Sequence, residues 1–140
     1  MFILNNLTDI EIRNLNPQSL AFVGDAVFSL YIRHKIVLAD KEKPNDQHKH
    51  TTHFVKASGQ SDIIKNIENI LTEEELKIYK RARNYKTNNI AKNSSVTDYK
   101  RATGFEALLG YLYLTNNKER LNEILNLSYE IILKANNLNY

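Results

Sequence analysis

The stretch LAFVGDAVFSLYI, residues 20–32, decides which kind of core this chain builds. It is apolar on every side of a helix, and its single carboxylate, Asp25, directly follows a glycine. An ionised acid buried without a partner is costly, so such a group is normally paired, shifted in pKa or bound to a metal ion. The same pattern returns in ATGFEALLGYLYL, residues 102–114, where Glu106 is the lone acid. These two acids are therefore the first candidates for a functional site.

Long runs of the sequence follow the helical period, and no convincing strand-like alternation occurs. The 140 residues include four glycines and two prolines, so helix-breaking residues are rare. Pro17 after Asn16 predicts one helix start, and the capping-box pair Thr72 and Glu75 predicts another. We expect an all-α helical bundle forming a single domain, residues 1–140. The expected helices cover about residues 17–39, 45–58, 61–70, 72–83, about 18 residues within 96–116, and 118–135.

Composition narrows the class of protein and its setting. The chain is 42% hydrophobic and 25% charged, which is typical of a globular protein. It has no cysteine, so disulfides and thiolate metal sites are excluded and a reducing compartment is expected. No stretch has the length of a membrane span, and the N-terminus lacks a secretory signal, so we expect a cytoplasmic protein. His50 and His53 share a helix face, but no acid stands at the spacing of a zinc site.

Basic residues cluster between residues 80 and 101. Seven of the 19 Lys and Arg residues fall there against one acid, Asp98, which gives this segment a charge of +6. The rest of the chain carries 12 basic and 15 acidic residues, a charge of −3. Such separation attracts polyanions, most commonly nucleic acid, although a solvated basic loop has the same pattern. The basic residues are Lys80, Arg81, Arg83, Lys86, Lys92, Lys100 and Arg101.

Helix spacing places small residues one turn from each acid. Asp25 shares a face with an alanine and a serine, and Glu106 shares one with Gly110. Small residues let a second backbone approach, so the two acids meet if their helices pack together. Neighbouring carboxylates repel unless they share a proton or a cation, and Mg²⁺ suits them because it prefers oxygen ligands. Pairing with Arg33 or Arg101 is the alternative, and spacing alone leaves both open.

The amino-acid sequences of these segments resemble those of one enzyme family. LAFVGDAVFSLYIR, residues 20–33, resembles the signature helix of the ribonuclease III family. TGFEALLGYLYL, residues 103–114, resembles its second acidic helix. KPNDQHKHTTHFVKASGQ, residues 43–60, and the segment YKRARNYKTNNIAKNSSVTDYK, residues 79–100, resemble the Mini-III branch of that family. The resemblance covers nearly the whole chain, in the right order and at the right separations.

The resemblance implies a function. Members of this family are all-α endonuclease domains that work as homodimers on double-stranded RNA, use Mg²⁺, and leave 5′-phosphate and 3′-hydroxyl ends. The Mini-III branch lacks the appended double-stranded-RNA-binding domain, and its implied task is maturation of the 23S ribosomal RNA precursor in bacteria, with a ribosomal protein as a further partner to consider. The alternative is a non-catalytic RNA-binding or ribosome-assembly module with the same fold.

The resemblance also assigns roles to residues. It makes Asp25 and Glu106 the catalytic residues and the metal ligands, and it makes the basic segment a source of phosphate contacts. Arg101 serves either RNA or an acid of the core. His48 resembles the histidine of a Pro-Asn-x-x-His stretch of the family, which is structural or faces RNA. The expected RNA-binding residues are Lys80, Arg81, Arg83, Lys86, Lys92, Tyr99, Arg101 and His48.

Two features of the sequence shape these expectations. Larger enzymes of the family read Glu-x-x-Glu-Phe-Leu-Gly-Asp and Asp-x-x-Glu, whereas this chain has Gln18, Ala21 and Thr103 in place of three of the acids. Fewer charged ligands predict a weakly held metal bound mostly through water. The helix around residues 20–32 is apolar all round, so either a second copy covers part of it or one protomer buries it completely.

Overall fold

The computed structural model describes residues 7–39, 44–86 and 95–136, and over these ranges the chain is helical without strands. This confirms the all-α prediction. Seven α-helices and one 3₁₀ turn, Glu68–Ile70, follow one another through the described ranges. The α-helices are α1 (Asp9–Arg13), α2 (Pro17–Ala39), α3 (Pro44–Val55), α4 (Ala57–Ile67), α5 (Glu73–Arg83), α6 (Val96–Leu114) and α7 (Lys118–Ala135).

Most helix bounds match the signals that predicted them, and one boundary is wrong. The break between α3 and α4 falls at Lys56 instead of after Ser58. Gly59 explains the shift, because it lies inside α4 where the helix passes the end of α3. A Cβ atom on Gly59 would lie 2.6 Å from the carbonyl oxygen of His53 and 3.2 Å from that of Phe54. The glycine therefore permits a close approach of two helices and does not end one.

The short helix α1 was not predicted, although its signal is the same as that of α5. Thr8 accepts a hydrogen bond from the N–H of Glu11, and the Glu11 side chain accepts one from the N–H of Thr8, which is a capping box. Arg81 fastens the end of α1 to α5 by donating to the carbonyl oxygens of Arg13, at 2.7 Å, and Leu15, at 3.0 Å.

Helix α6 forms the centre of the bundle, packed between α2, α4 and α5. Its tightest crossing is with α2, where glycines on both helices face the partner backbone. A Cβ atom on Gly24 would lie 1.6 Å from the carbonyl oxygen of Glu106, and one on Gly110 would lie 2.0 Å from that of Leu20. No other residue type fits at either position without moving a helix. Beyond the crossing, Phe28 of α2 meets Phe105 of α6 edge to face, with ring centroids 5.3 Å apart.

An ion pair joins α5 to α7. Glu75 is only 5% exposed, and its carboxylate accepts from Nε and Nη2 of Arg120 at 2.9 and 2.8 Å. It also accepts from the N–H of Thr72 at 2.9 Å, which completes the predicted capping box. Burial by itself raises the pKa of Glu75, but the hydrogen bonds from Arg120 and Thr72 hold that pKa below its ordinary value.

One side of α2 remains apolar and exposed. Phe22 is 82% exposed and Leu30 is 58% exposed, with Val37 and Leu38 exposed further along the helix. Complete burial of this helix within one protomer is therefore wrong for these residues. In the described ranges no helix combines the length and apolar character that crossing a membrane requires.

Candidate active site

The crossing of α2 and α6 brings Asp25 and Glu106 together. At Gly24 the two backbones approach so closely that no side chain stands between them, and the nearest atom across is the carbonyl oxygen of Glu106. Asp25 is the next residue on α2, and its carboxyl group interacts with that of Glu106 through charge and through a hydrogen bond. The expectation that the acids meet when their helices pack is confirmed.

The two acids differ in exposure. Glu106 is partly buried, whereas Asp25 is exposed. The expectation of an acid enclosed by an apolar helix is wrong for Asp25, because it lies on the same exposed side of α2 as Phe22, three residues earlier. The pair therefore runs from the interior to the surface, with Asp25 on the outside, where a macromolecule can reach it.

Burial and the neighbouring carboxylate both make ionisation of Glu106 unfavourable. Removal from water and the charge of Asp25, together with their hydrogen bond, raise the pKa of Glu106 from 4.5 to about 9, while a hydrogen bond from Gln60 works in the opposite direction. At neutral pH, and without a bound cation, Glu106 therefore keeps its proton. A proton shared between two carboxyl groups is one of the two ways to relieve their repulsion, and a cation is the other.

The described residues do not supply that cation. Neither Arg33 nor Arg101 forms an ion pair with Asp25 or Glu106 among the residues that the structure covers, so the arginine-pairing alternative is not supported. Arg101 instead lies near enough to Tyr79 to affect its pKa. The charge of the acid pair is left for a ligand to neutralise.

The donor set fits a hard divalent cation. Two carboxylates side by side, one reachable from solvent, match the way Mg²⁺ binds, through one or two carboxylates and several retained waters. Within residues 7–39, 44–86 and 95–136 no cluster of three or more His, Cys, Asp or Glu side chains is placed to hold a metal. A zinc site at His50 and His53 is therefore not supported over these ranges.

Gln60 is a member of this site that the sequence did not indicate. It is only 1% exposed, and its Nε2 lies 3.5 Å from Oε2 of Glu106. A signal was available, because Gln60 precedes Ile63, Ile64 and Ile67 at helical spacing on the buried side of α4. A polar residue at a core position of an amphipathic helix is unusual, but the helix was expected to begin only at residue 61.

Two of the positions at which larger enzymes of the family have further acids lie side by side in the structure. Gln18 and Thr103 line one small cleft together with Tyr85, Tyr99 and Lys100. The Thr103 hydroxyl donates to the carbonyl oxygen of Tyr99 at 2.9 Å. The side chains that line this cleft carry amide, hydroxyl and ammonium groups but no carboxylate, so the cleft adds no acidic ligand to the site.

The basic residues differ in how free they are to bind RNA. Lys80 and Lys86 are exposed, whereas Arg81 is engaged with two backbone carbonyl groups at the end of α1. The guanidinium of Arg83 lies 5.5 Å from the centre of the Tyr79 ring. Tyr99 and Arg101 are half-buried on the first turns of α6, and Lys92 lies outside the described residues.

The basic end of α5 packs against the first half of α6. Helix α5 crosses α6 at Gly104, where a Cβ atom would lie 2.6 Å from the ring of Tyr79. Tyr85, just after α5, lines a cleft with Thr103, which shares a face of α6 with Glu106 three residues later. Lys80 and Arg83 follow Tyr79 on α5. His48 of α3 lies further along α2, where it lines a cleft with Arg33 and Val37.

Known proteins resemble this chain over most of its length. The model of the Ribonuclease III domain matches residues 18–117. A Mini-ribonuclease 3 from a Thermoanaerobacter species is 50% identical over 126 residues, covering 90% of this chain and 89% of that protein. A Mini-ribonuclease 3 from Clostridium tetani is 47% identical over 127 residues, covering 90% of this chain and 84% of that protein. A crystal structure of a protein from Fusobacterium nucleatum is 38% identical, with a TM-score of 0.77, and covers 86% of this chain and 96% of that one.

Proposed function

This chain belongs to the ribonuclease III family, and we propose that it is a Mg²⁺-dependent endoribonuclease that cleaves double-stranded RNA through Asp25 and Glu106. The family is generally metal-dependent and acts on double-stranded RNA. The observation that carries the proposal is the contact of two carboxyl groups with no cationic side chain beside them in the described structure. Such an arrangement is unfavourable for the protein alone and becomes favourable when a divalent cation binds.

Asp25 and Glu106 have different roles in the proposed site. Asp25 stands at the surface, where the phosphodiester backbone of an RNA helix can approach, and Glu106 supports it from the interior. Glu106 has to release its proton when the cation binds, because a neutral carboxyl group is a poor ligand. A bound Mg²⁺ supplies charge neutralisation at the phosphate and an activated water. The glycines at the α2–α6 crossing fix how closely the carboxylates approach each other.

The basic residues around α5 and α6 are proposed to hold the RNA. Double-stranded RNA is recognised mainly through phosphates, 2′-hydroxyl groups and shape, so exposed cations are sufficient without an element that reads sequence. Lys80 and Lys86 are exposed, whereas Arg81 and Arg83 have structural partners and contribute less. The full proposed set is Lys80, Arg81, Arg83, Lys86, Lys92, Tyr99, Arg101 and His48.

A homodimer is proposed because the exposed side of α2 is apolar. A surface with Phe22 and Leu30 exposed next to the active acid requires cover, and a second copy of the chain provides it with two-fold symmetry. Sedimentation should show a dimer at micromolar concentration. Leu30→Asp should shift it to monomer, while Ile10→Asp, at an exposed apolar residue of α1, should not. A wild-type monomer at that concentration would contradict the dimer and the paired cuts.

We further propose that the substrate is a stem of the 23S ribosomal RNA precursor in the bacterial cytoplasm, and that a ribosomal protein assists its cleavage. The likeness to proteins named Mini-ribonuclease 3 supports this proposal. The absence of acids at Gln18, Ala21 and Thr103 favours a second candidate, a non-catalytic RNA-binding module of the same fold. The two candidates differ in whether the acid pair is needed after RNA has bound.

A cleavage assay separates them. Double-stranded RNA at low salt is incubated with the wild type in Mg²⁺, with the wild type in EDTA, and with Asp25→Asn in Mg²⁺. Asp25→Asn should fold and bind RNA but cleave at least about a hundredfold more slowly, because one ligand of the metal is lost. RNA binding without cleavage by the wild type, at any Mg²⁺ concentration, would favour the binding module and contradict the enzyme.

A further inference from the structure

Gln60 occupies a position that normally belongs to an apolar side chain. It lies on the side of α4 that carries Ile63, Ile64 and Ile67, and it is 1% exposed, like these isoleucines. Burial of an amide without hydrogen bonds is unfavourable, so a leucine or methionine there would favour the fold more. The presence of the amide therefore requires a partner that benefits from it.

That partner is Glu106. Nε2 of Gln60 lies 3.5 Å from Oε2 of Glu106, and the Asp25 carboxyl group contacts Glu106 as well. Among the described side chains, Gln60 donates an N–H group to Glu106, whereas Asp25, the other side chain in contact with Glu106, is an acid and has no N–H group. A neutral donor orients a carboxylate without neutralising it, and thus leaves its charge available for a cation.

The backbone around Gln60 is held in place. Gly59 packs against the carbonyl oxygens of His53 and Phe54 at the end of α3, which fixes the first turn of α4. Ser61, on the other side of Gln60, is fully buried. The amide therefore projects toward α6 from a fixed helix start, so its direction does not depend on a mobile loop.

We propose that Gln60 is a positioning residue of the active site, which turns the Glu106 carboxylate toward Asp25 in the arrangement that binds the divalent cation. The inference rests on the proposed function and deepens it. Outer residues that orient metal ligands typically change metal affinity or activity about 10–100-fold when they are replaced. In a site with two acids, the orientation of each acid matters more than in a site with four or five.

The glutamine side chains can be followed directly, because the chain has only three glutamines, Gln18, Gln47 and Gln60. In the wild type labelled with ¹⁵N-glutamine, Mg²⁺ is titrated while the three side-chain NH₂ signals and the Tm are recorded. The Gln60 signals should shift with the same midpoint as the rise in Tm, and the Gln47 signals should stay in place. A rise in Tm with unmoved Gln60 signals would overturn the positioning role.

Variants provide a second, kinetic readout. Gln60→Met keeps the length of the side chain and removes the N–H donor, and Ser61→Ala is the matched control at the next buried residue. Gln60→Met should raise the Mg²⁺ concentration for half-maximal cleavage about tenfold, with a smaller change of kcat at saturating Mg²⁺, and Ser61→Ala should change neither. An unchanged Mg²⁺ dependence in folded Gln60→Met would contradict the proposal.

The outcomes also separate this inference from the proposed function. If Mg²⁺ changes neither the Tm nor any signal of the wild type, the metal site itself is wrong and the role of Gln60 falls with it. If Mg²⁺ raises the Tm and only Gln60 fails to respond, the metal site stands and Gln60 is a structural residue. If Gln60→Met does not fold, the NMR titration of the wild type decides alone, with its signals assigned through Gln18→Ala and Gln47→Ala.

Discussion

Glu75 and Glu106 are two acids of one bundle whose surroundings differ in kind. Glu75 is 5% exposed and accepts two hydrogen bonds from Arg120 and one from the backbone of Thr72. Glu106 contacts another acid, Asp25, and receives one long hydrogen bond from Gln60. The pKa of Glu75 is held below its ordinary value, and that of Glu106 is raised to about 9.

The comparison shows how a structural acid differs from a functional one. The protein itself neutralises Glu75, so this acid stabilises the fold and has no capacity left for a ligand. Glu106 makes the fold less stable whenever it is ionised, and such an arrangement persists only if a ligand benefits from it. The predictions below test this division from its largest expected effect on stability to its smallest.

Removal of the arginine should show the largest effect. Arg120→Met leaves Glu75 buried without its cation, so the free energy of unfolding at pH 7 should fall by about 3 kcal/mol. Because the pKa of Glu75 is lowered in the folded state, its contribution is present above the unfolded pKa and is lost as pH falls through the folded pKa. Urea unfolding at pH 7 and pH 3 measures both. An equal loss at both pH values would contradict the structural assignment of Glu75.

Removal of the second acid should have the opposite sign. In EDTA, Glu106→Gln should raise the free energy of unfolding at pH 7 by about 2 kcal/mol, because the amide has no proton to lose. The folded wild type keeps the Glu106 proton from pH 4.5 up to about 9 while the unfolded chain releases it, so wild-type stability falls across that window. The variant should lack this slope in urea unfolding. Parallel pH profiles of stability for the two proteins would show that the fold does not raise the pKa of Glu106.

The cap of α5 should give the smallest change. Thr72→Ala removes the hydroxyl that accepts from the N–H of Glu75, and the free energy of unfolding should fall by about 1 kcal/mol. The rate of RNA cleavage at a temperature where the variant is folded should stay unchanged. Thr8→Ala, in the capping box of α1, is the matched comparison and should cost less, because α1 is only five residues long. A loss of activity in Thr72→Ala would show that the start of α5 contributes to the active site. It would contradict the assignment of Glu75 as a structural acid and Glu106 as a functional one.

The sequence predicted much of this arrangement for identifiable reasons. Pro17 after Asn16 marks the start of α2, and the small residues around Asp25 and Glu106 predict a close crossing of their helices. The exposure of Asp25 was not predictable, because spacing assigns residues to faces of one helix without saying which face a neighbour covers. Gln60 was missed because α4 was expected to begin only at residue 61, and its partner Glu106, 46 residues away in the chain, could not be identified from spacing.

The most direct test compares Glu106→Gln with Glu75→Gln in one assay. Initial rates of cleavage of a double-stranded RNA are measured at saturating Mg²⁺ and low salt, at a temperature where circular dichroism shows both variants folded. Glu106→Gln should cleave about a thousandfold more slowly than the wild type, although in EDTA it is the more stable protein, and Glu75→Gln should be less stable than the wild type and cleave within about threefold of it. Near wild-type cleavage by Glu106→Gln, or equal losses in both variants, would contradict the claim that the acid pair exists for catalysis.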